Sequence, residues 1–310
     1  MKKIILDCDP GHDDMLAMIL ALSRSEDLKV LGITTVAGNQ TGEKTYINAL
    51  KVLNLIGRQD VPVSRGFDRP LVREQVIAPQ IHGVSGLDGA QIPEPKGLET
   101  KKHAVDFIID TILGENEKIY LVPTGPLTNV AVALLKEPKI KEKLEKIVLM
   151  GGAARDSNFT PGAEFNIYAD PEAARIVFES GVPIVMVGLD VTNRAIISYE
   201  DIDYLESLNG KVSRVIAPLL RFFANTNKEY FGINGAPVHD ALAVSYLIDP
   251  TILSLKECHV DIETKGEFTY GQTVADLYDV TKKPKNAQVA LDLNLEKFKK
   301  LVINAIRFFD

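Results

Sequence analysis

The chain has 310 residues, a formal net charge of −7 at pH 7 and a hydrophobic content of 45%. This length allows one large α/β domain or two smaller domains, and the hydrophobic content is sufficient for a sizeable core. The negative charge argues against a broad surface for nucleic acid, which proteins bind through Lys and Arg. No apolar stretch approaches about 18 uninterrupted residues, the length that predicts a membrane-spanning helix.

The two cysteines, Cys8 and Cys258, do not have the spacing of a disulfide framework or a metal site. The amino terminus leads directly into a predicted strand, without an apolar region that ends in a small-residue cleavage site. We therefore expect a soluble, cytoplasmic protein.

The chain begins with a predicted strand, a tight turn and a helix. An apolar run at residues 3–6 precedes the Pro10-Gly11 turn, and an amphipathic segment follows at residues 15–22. Four acidic residues surround the turn: Asp7, Asp9, Asp13 and Asp14. The first two are expected on the same side of a regular strand, and the last two fall at the helix N-terminus, where the helix dipole favours negative charge.

Four carboxylates within eight residues repel one another. Two unit charges about 4 Å apart cost about 4 kcal/mol at an effective dielectric near 20, whereas a helix end offsets only about 0.3–1 kcal/mol per acid. Protonation or a hard divalent cation must therefore neutralise the group, and oxygen-only ligands favour Ca²⁺ or Mg²⁺ over zinc or copper. The alternative is two solvated acids followed by an ordinary pair of helix-capping acids.

Strand and helix patterns alternate along the rest of the chain. Strands are predicted at residues 30–36, 61–63, 118–122, 146–150 and 183–189. Helices are predicted at residues 42–56, 103–113, 127–135, 170–181, 199–208, 210–225 and 239–247, and at the end of the chain. Residues 66–100 contain many Pro and Gly and have no sustained period, which predicts an irregular and often functional segment. Residues 260–263 and 268–270 are predicted to pair as a hairpin.

This alternation predicts a single α/β domain over residues 1–310, with a mainly parallel, Rossmann-like open sheet, flanking helices and an elaborated C-terminal part. Several polar residues fall at carboxyl ends of predicted strands: Asp7, Asp9, Asn39, Thr124 and Asp190. Ligands bind at that edge of open α/β sheets. We therefore expect residues that are distant in sequence to converge on the acidic cluster.

The first turn carries acids where a phosphate-binding loop would carry glycines. The chain contains neither a G-x-x-x-x-G-K-[ST] motif nor a G-x-G-x-x-G motif after a strand, so no nucleotide-cofactor site is expected at this loop. Mg²⁺-dependent phosphatases with an aspartyl nucleophile also begin with a strand that ends in Asp-x-Asp. Their motif, however, places Thr or Val at the position of Gly11.

A cation held by carboxylates can lower the pKa of a bound water and so provide a nucleophile at neutral pH. The polar residues of the segment 158–166 would suit the hydroxyl groups of a sugar. The alternative for this segment is an ordinary surface loop with side-chain turns.

Residues 7–14, Asp-Cys-Asp-Pro-Gly-His-Asp-Asp, resemble the D-x-D-P-G-x-D-D signature of the inosine–uridine-preferring nucleoside hydrolases. The resemblance covers essentially the whole chain and continues at residues 36–40, 81–83, 121–129, 148–152, 163–166 and 238–240. It looks closest to the bacterial pyrimidine-preferring members. Purine-specific members stack the base between tryptophans, and this chain has no Trp.

The resemblance implies a tightly bound Ca²⁺, held by Asp9, Asp14, Asp240 and the backbone carbonyl of Thr124. Asp9 also matches the general base that deprotonates the calcium-bound water, and Asp7 is expected behind the ligands, where it would orient them. Other residues match ribose-binding positions of the family: Asp13, Asn39, Met150, Asn158, Glu164 and Asn166.

Departure of the base needs a proton or an equivalent, which histidine can supply near neutral pH. His82 and His239 match histidines near the leaving base in the family, whereas His12 occupies the variable position of the signature and receives no role. Four residues are weaker candidates to line the base pocket, because aromatic stripes on helices are usually core: Phe165, Asn227, Tyr230 and Phe231.

The resemblance thus implies calcium-dependent hydrolysis of the N-glycosidic bond of uridine or cytidine to ribose and free base, by a homotetramer active in nucleoside salvage. The reaction passes through an oxocarbenium-like state, which anionic groups around the ribose stabilise more than the neutral ground state. The only partners expected are a small ribonucleoside and further copies of the chain. The alternatives are a hydrolase that accepts purines such as inosine, a Mg²⁺-dependent phosphatase, and a nucleoside sensor without turnover.

Overall fold

The buried apolar runs of the chain form the strands of a central sheet in the computed structural model, which describes residues 1–95 and 101–310. In chain order, the strands of these residues are β1 (Lys2–Cys8), β2 (Leu28–Thr35), β3 (Val63–Arg65), β4 (Ile119–Pro123), β5 (Leu144–Met150), β6 (Ile184–Val187), β7 (Ile196–Ile197), β8 (Ala236–Pro237), β9 (Leu253–Cys258), β10 (Val260–Ile262), β11 (Thr273–Ala275) and β12 (Ala287–Leu293). Eight of them make the central sheet, and the other four make two small two-stranded sheets.

Helices follow most of the strands. They are α1 (His12–Ser23), α2 (Gly42–Ile56), α3 (Pro79–His82), α4 (Ala104–Gly114), α5 (Thr128–Lys136), α6 (Ile140–Lys143), α7 (Phe165–Ala169), α8 (Pro171–Phe178), α9 (Leu189–Thr192), α10 (Tyr199–Leu208), α11 (Ser213–Phe231), α12 (His239–Ile248) and α13 (Leu295–Phe309). A 3₁₀ turn spans Pro250–Ile252. None of the helices in the described part of the chain combines the length and the apolar character needed to cross a membrane.

The strand order of the central sheet is β3-β2-β1-β4-β5-β6-β12-β9. All neighbouring strands pair in parallel except β12 and β9, which are antiparallel. This arrangement confirms the predicted α/β class with a mainly parallel sheet and flanking helices. Because β1, β2, β4, β5 and β6 run in the same direction, their carboxyl ends meet along one edge of the sheet.

The core lies on both faces of the sheet, because the side chains of β1 alternate between two apolar clusters. Ile4 and Leu6 belong to one cluster and Ile5 to the other. Helix α1 is buried along its whole length and packs against α12. The acidic residues at the N-terminus of α1 are therefore held inside the protein rather than on a solvated surface.

Two predicted elements differ from the structure in their extent or pairing. The predicted hairpin is wrong in its second strand: β10 pairs antiparallel with Thr273–Ala275, and residues 267–271 form a turn. Glu263 closes this turn, because its carboxylate accepts from the backbone of Lys265 and Gly266 and its carbonyl accepts from Gly271. The helix predicted at 210–225 instead ends at Phe231, before Gly232 with a φ of 70°.

The segment predicted as irregular contains one helical turn, α3, and its residues 96–100 lie outside the described part of the chain. The prediction named neither β9 nor β12. These two strands form the antiparallel edge of the sheet and account for much of the elaborated C-terminal part.

Candidate active site

The turn between β1 and α1 is held by the carboxylate of Asp14. Its oxygens accept hydrogen bonds from the backbone nitrogens of Gly11 at 3.0 Å and Asp9 at 3.3 Å, which caps the first turn of the helix. The hydroxyl of Thr124, just beyond β4, donates to the same carboxylate at 2.9 Å. Asp14 thus joins the carboxyl ends of two neighbouring strands.

Asp9 is enclosed by residues that follow β2 and β4. The backbone nitrogen of Asn39 donates to its Oδ2 at 2.7 Å, and the amide of Asn39 donates to its carbonyl at 3.2 Å. Gly125 packs so closely that a Cβ atom there would lie 2.5 Å from Asp9 Oδ1. That oxygen accepts no hydrogen bond from the described residues, although it is buried.

Three carboxylates converge at the site. Asp13, Asp14 and Asp240 each offer an oxygen, and these oxygens lie within 4.8 Å of one another. Burial, followed by repulsion from Asp14, raises the pKa of Asp13 to about 7. The pKa of Asp240 rises well above its usual value from burial and from repulsion by Asp13, Asp14 and Asp9. The predicted alternative is wrong in its two solvated acids, because Asp7 and Asp9 are fully buried.

These residues fit a hard divalent cation. The site offers only oxygen donors, which Ca²⁺ and Mg²⁺ prefer. Oδ1 of Asp9 and Oδ1 of Asp13 are both buried without a hydrogen-bond partner among the described residues, although such groups normally have one. The carbonyl of Thr124 accepts from Asn166 at 2.7 Å and keeps a second lone pair for another partner.

A cavity opens above the carboxylates, with an empty volume of about 610 Å³ including its mouth. Eight of the lining residues were predicted to bind the cation or the ribose: Asp13, Asn39, Thr124, Met150, Asn158, Glu164, Asn166 and Asp240. The remaining lining residues are two further amides, Gln80 and Asn227, and histidine, aromatic or aliphatic side chains: Ala78, Ile81, His82, Phe159, Phe165, Phe223, Phe231 and His239.

Most of the residues predicted for the site therefore lie around one cavity. Asp9 and Asp14 do not line it, because both are fully buried among the residues at the carboxyl ends of the strands. Tyr230 does not line it either, and its side chain is 54% exposed. Phe231, at the end of the same helix, does line the cavity.

The sequence did not single out Phe223, and it indicated Phe159 only as one of the phenylalanines of the segment 158–166 that could pack on a sugar or base. Phe223 precedes Asn227 and Phe231 by four and eight residues on α11, so all three lie on one face of the helix. That spacing was a usable signal. Phe159 lies in the polar segment 158–166, where no periodic pattern distinguishes it, and its ring contacts Phe165 at 5.3 Å between centroids.

The segment 158–166 is not an ordinary surface loop, because Glu164 and Asn166 are only 3% and 6% exposed. Glu164 accepts from the backbone nitrogens of Gly152, Asn166 and Ile167 at 2.8–3.1 Å, and it caps α7. Burial outweighs these bonds and raises the pKa of Glu164 to about 7. The side chain of Asn158 accepts from the backbone nitrogen of Phe165 at 2.9 Å.

The two predicted histidines reach the cavity from opposite parts of the chain. His239 begins α12, and its Nδ1 lies 2.8 Å from the hydroxyl of Thr192. Burial lowers the pKa of His239 to about 4. His82 ends α3, and burial, with the nearby His12 and His239, lowers its pKa well below the usual value.

Residues 4–300 match the sequence model of a protein family described as inosine-uridine preferring nucleoside hydrolase. The chain belongs to this family. It is therefore a hydrolase that acts on the N-glycosidic bond of nucleosides, as the sequence predicted. The match covers nearly the whole chain, including every residue described above for the cavity.

The nucleoside hydrolase is similar to several named members of the family. A pyrimidine-specific ribonucleoside hydrolase RihA from Photobacterium profundum is 48% identical over 298 residues, 96% of each chain. A protein of the same name from Escherichia coli O9:H4 is 46% identical over 307 residues, which is 99% of this chain and 98% of the relative. The solved structure of a purine-preferring ribonucleoside hydrolase from Gardnerella vaginalis superimposes with a TM-score of 0.93 at 34% identity, over 99% of both chains.

Proposed function

We propose that this nucleoside hydrolase cleaves pyrimidine ribonucleosides, uridine and cytidine, to ribose and the free base. The observation that carries the proposal is a single cavity that combines buried carboxylates, amide side chains, histidines and phenyl rings. The relatives at 46–48% identity are named pyrimidine-specific and support the choice of base. A purine-accepting enzyme is the second candidate, because the similar Gardnerella vaginalis structure is named purine-preferring.

We propose that Asp9, Asp14, Asp240 and the carbonyl of Thr124 hold Ca²⁺. Support comes from the all-oxygen donor set and from the unpartnered, buried Oδ1 of Asp9. An oxygen of Asp13 lies within 4.8 Å of oxygens of Asp14 and Asp240. Asp13 is therefore close enough to be a further ligand or to contact the sugar. When bound, a divalent cation at this position supplies Lewis-acid activation of water.

The carboxylate of Asp9 takes the proton from the attacking water in this proposal. Its Oδ2 is fixed by the backbone nitrogen of Asn39, and its Oδ1 has no competing donor among the described residues. A base with one anchored oxygen and one free oxygen is held in a defined orientation, which general base catalysis requires.

The polar lining residues bind the ribose and stabilise positive charge on it. Asp13 and Asp240 supply negative charge that is not shared with Lys or Arg side chains in the cavity lining. Such charge stabilises an oxocarbenium-like sugar more than the neutral substrate. The other proposed ribose-binding residues are Asn39, Met150, Asn158, Glu164 and Asn166.

The leaving base occupies the part of the site bounded by His82, His239 and the phenyl rings of Phe165 and Phe231. Because Nδ1 of His239 is engaged by Thr192, its Nε2 is the ring nitrogen available to a ligand. A hydrogen bond from that nitrogen stabilises the negative charge that develops on the departing base. Asn227 is held by a 2.9 Å bond from Nδ2 to the carbonyl of Phe223, which leaves its amide oxygen to face the base.

The decisive experiment is an assay of released reducing sugar with uridine, cytidine, inosine and adenosine. We expect the highest kcat/KM with uridine or cytidine, without added phosphate. A higher kcat/KM with inosine would support the purine-accepting candidate instead. A strict requirement for phosphate, with ribose 1-phosphate as the product, would contradict hydrolysis.

We further propose that residues 1–310 act as one nucleoside hydrolase domain and assemble as a homotetramer in the cytoplasm. The support is the resemblance of the whole chain to the family. Light scattering coupled to size-exclusion chromatography tests the assembly, and a monomeric mass for an active enzyme would contradict it.

A further inference from the structure

Three successive backbone nitrogens of the loop after β5 donate to side chains from three different parts of the chain. The pairs are Gly152 with Glu164 Oε2 at 2.8 Å, Ala153 with the hydroxyl of Thr273 at 2.8 Å, and Ala154 with Asp190 Oδ2 at 2.7 Å. Of the three acceptors, Glu164 lines the cavity and the other two do not. Because Glu164 is a proposed ribose-binding residue, whatever fixes this loop also fixes part of the ribose site.

Thr273 lies in β11, in the elaborated C-terminal part, and its side chain is buried against Ala153. The hydroxyl of Thr273 accepts from the backbone nitrogen of Ala153 and donates to the carbonyl oxygen of the same residue. Neither backbone group of Ala153 has another hydrogen-bond partner in the described part of the chain. One side chain thus satisfies both polar groups of a buried backbone residue, which would otherwise be left unpaired.

The contact between Thr273 and the loop continues at Gly152. Gly152 has a φ of 70°, a conformation that favours glycine, and a Cβ atom there would lie 2.7 Å from Cγ2 of Thr273. On the other side, the carbonyl of Gly152 accepts from the backbone nitrogen of Leu189 at 2.9 Å. The residue whose N–H holds Glu164 is therefore enclosed between β11 and the start of α9.

The strand pair that carries Thr273 is itself well packed. Thr273 pairs with Ile262 of β10, and both Ile262 and Val260 are buried in the apolar cluster on one face of the sheet. Gly271, just before β11, packs so closely on α7 that a Cβ atom there would lie 2.8 Å from the Cα of Tyr168. The hairpin therefore contacts both the loop after β5 and the helix that follows Glu164.

Glu164 depends on that loop for its position relative to the sheet. Its carboxylate accepts from three backbone nitrogens, and two of these belong to its own helix α7, at Asn166 and Ile167. Those two bonds would move together with the helix. The bond from Gly152 is the one that joins Glu164 to the end of β5.

We propose that Thr273 is a positioning residue that fixes the loop after β5, so that Gly152 holds the carboxylate of Glu164 in place for the ribose. The inference rests on the proposed function, in which Glu164 binds the sugar. Because Glu164 contacts the sugar and not the base in that function, the contribution of Thr273 is the same for every leaving group.

The test compares Thr273→Val and Thr273→Ser on uridine and on p-nitrophenyl β-D-ribofuranoside, which share the ribose and differ in the leaving group. Valine keeps the shape of threonine but leaves the nitrogen and the carbonyl of Ala153 without a partner, whereas serine keeps the hydroxyl. Thr281→Val is the matched control, because the hydroxyl of this exposed threonine donates to Asp276 and not to the loop. Circular dichroism verifies that each variant is folded.

We expect Thr273→Val to raise KM by about 5-fold on both substrates, the effect of one ordinary hydrogen bond. Its kcat should change by less than about 2-fold, because an interaction made equally in the ground and transition states affects KM alone. Thr273→Ser and Thr281→Val should stay within about 2-fold of wild type, since both keep the hydroxyl that binds Ala153. In a Glu164→Ala background, Thr273→Val should have little further effect on KM, since residues that act through one another are not additive.

A fall in kcat with unchanged KM, a loss confined to one substrate, or equal defects in the valine and serine variants would overturn the proposal. So would a full additive loss in the Glu164→Ala background. If Thr273→Val does not fold, Thr273→Ala replaces it, because alanine and serine both lack the methyl group and differ only in the hydroxyl. Equal KM values for those two would count against the proposal. An unchanged KM in Glu164→Ala alone would instead contradict the proposed role of Glu164, and a wild-type enzyme inactive on both substrates would contradict the proposed function.

Discussion

Asn166 donates a 2.7 Å hydrogen bond from Nδ2 to the carbonyl oxygen of Thr124. The hydroxyl of Thr124 donates in turn to Asp14 at 2.9 Å. A proposed ribose-binding side chain and a proposed cation ligand are thus joined through one residue at the end of β4. We therefore expect these two hydrogen bonds to couple the proposed sugar position to the proposed cation position.

Asn166→Ala should weaken Ca²⁺ binding as well as substrate binding. Loss of a residue that orients a metal ligand typically costs about 10- to 100-fold in metal affinity. Calcium titration followed by thermal unfolding measures the change. Asn158→Ala is the matched control, because Asn158 bonds the backbone of Phe165 and not a proposed ligand. Equal Ca²⁺ affinity in wild type and Asn166→Ala would refute the coupling.

Asp9→Asn should abolish turnover while the protein stays folded. The amide is nearly the same size, but it cannot take a proton, and loss of a general base typically lowers kcat by about 10²–10⁴-fold. The assay is uridine hydrolysis, with circular dichroism to verify folding. The control is Asp60→Asn, an acid in an exposed pair with Arg58, which should leave kcat unchanged. Substantial turnover by Asp9→Asn would remove the residue from the base role.

Removal of Ca²⁺ should lower both activity and thermal stability, and added Ca²⁺ should restore them. A ligand present at 100 times its Kd stabilises the folded state by about 2.7 kcal/mol. The cation also relieves repulsion among the buried carboxylates of Asp13, Asp14 and Asp240. Asp14→Asn should lose most of the Ca²⁺-dependent shift in Tm. Full activity after exhaustive chelation would contradict the cation site.

His239→Ala should slow substrates with poor leaving groups most. Its Nδ1 is held by Thr192, so removal of the ring takes away a directed hydrogen bond from the departing base. Comparison of kcat for uridine and for p-nitrophenyl β-D-ribofuranoside measures the selectivity of the loss. Thr192→Val, which removes only the anchor, should give a smaller loss with the same preference. A uniform loss across substrates would leave His239 without a role at the leaving group.

Glu164 should make the metal-free protein less stable as the pH rises. Its pKa is about 7 in the folded chain and 4.5 as the ordinary value, so the folded state keeps a proton that the unfolded state has lost. Between these two values the free energy of unfolding falls by up to about 1.4 kcal/mol per pH unit. In Glu164→Gln this contribution disappears, and the slope should be shallower. Chemical denaturation from pH 5 to 8 compares the slopes, and parallel curves would contradict the assignment.

The strand–turn–helix unit at the start of the chain could be predicted from sequence because its signals are local. Apolar residues, a Pro-Gly turn and acids at a helix start follow one another within residues 3–14. The convergence of Asp9, Asn39 and Thr124 was also predictable, because parallel strands end at one edge of a sheet. The hairpin pairing was not, because alternation alone does not fix which of two nearby segments pairs with β10.

The sequence by itself determined the α/β class and the family and indicated the candidate site residues, because these depend on periodicity and on motifs with specific spacing. Only the tertiary structure decided that Phe223 lines the cavity whereas Tyr230 is exposed, since these residues lie seven positions apart on nearly the same side of α11 and what covers each of them depends on the packing of other segments. Only the tertiary structure brought the variable signature residue His12 against His82, 70 positions away. Contacts across that distance arise from packing, which local patterns do not encode.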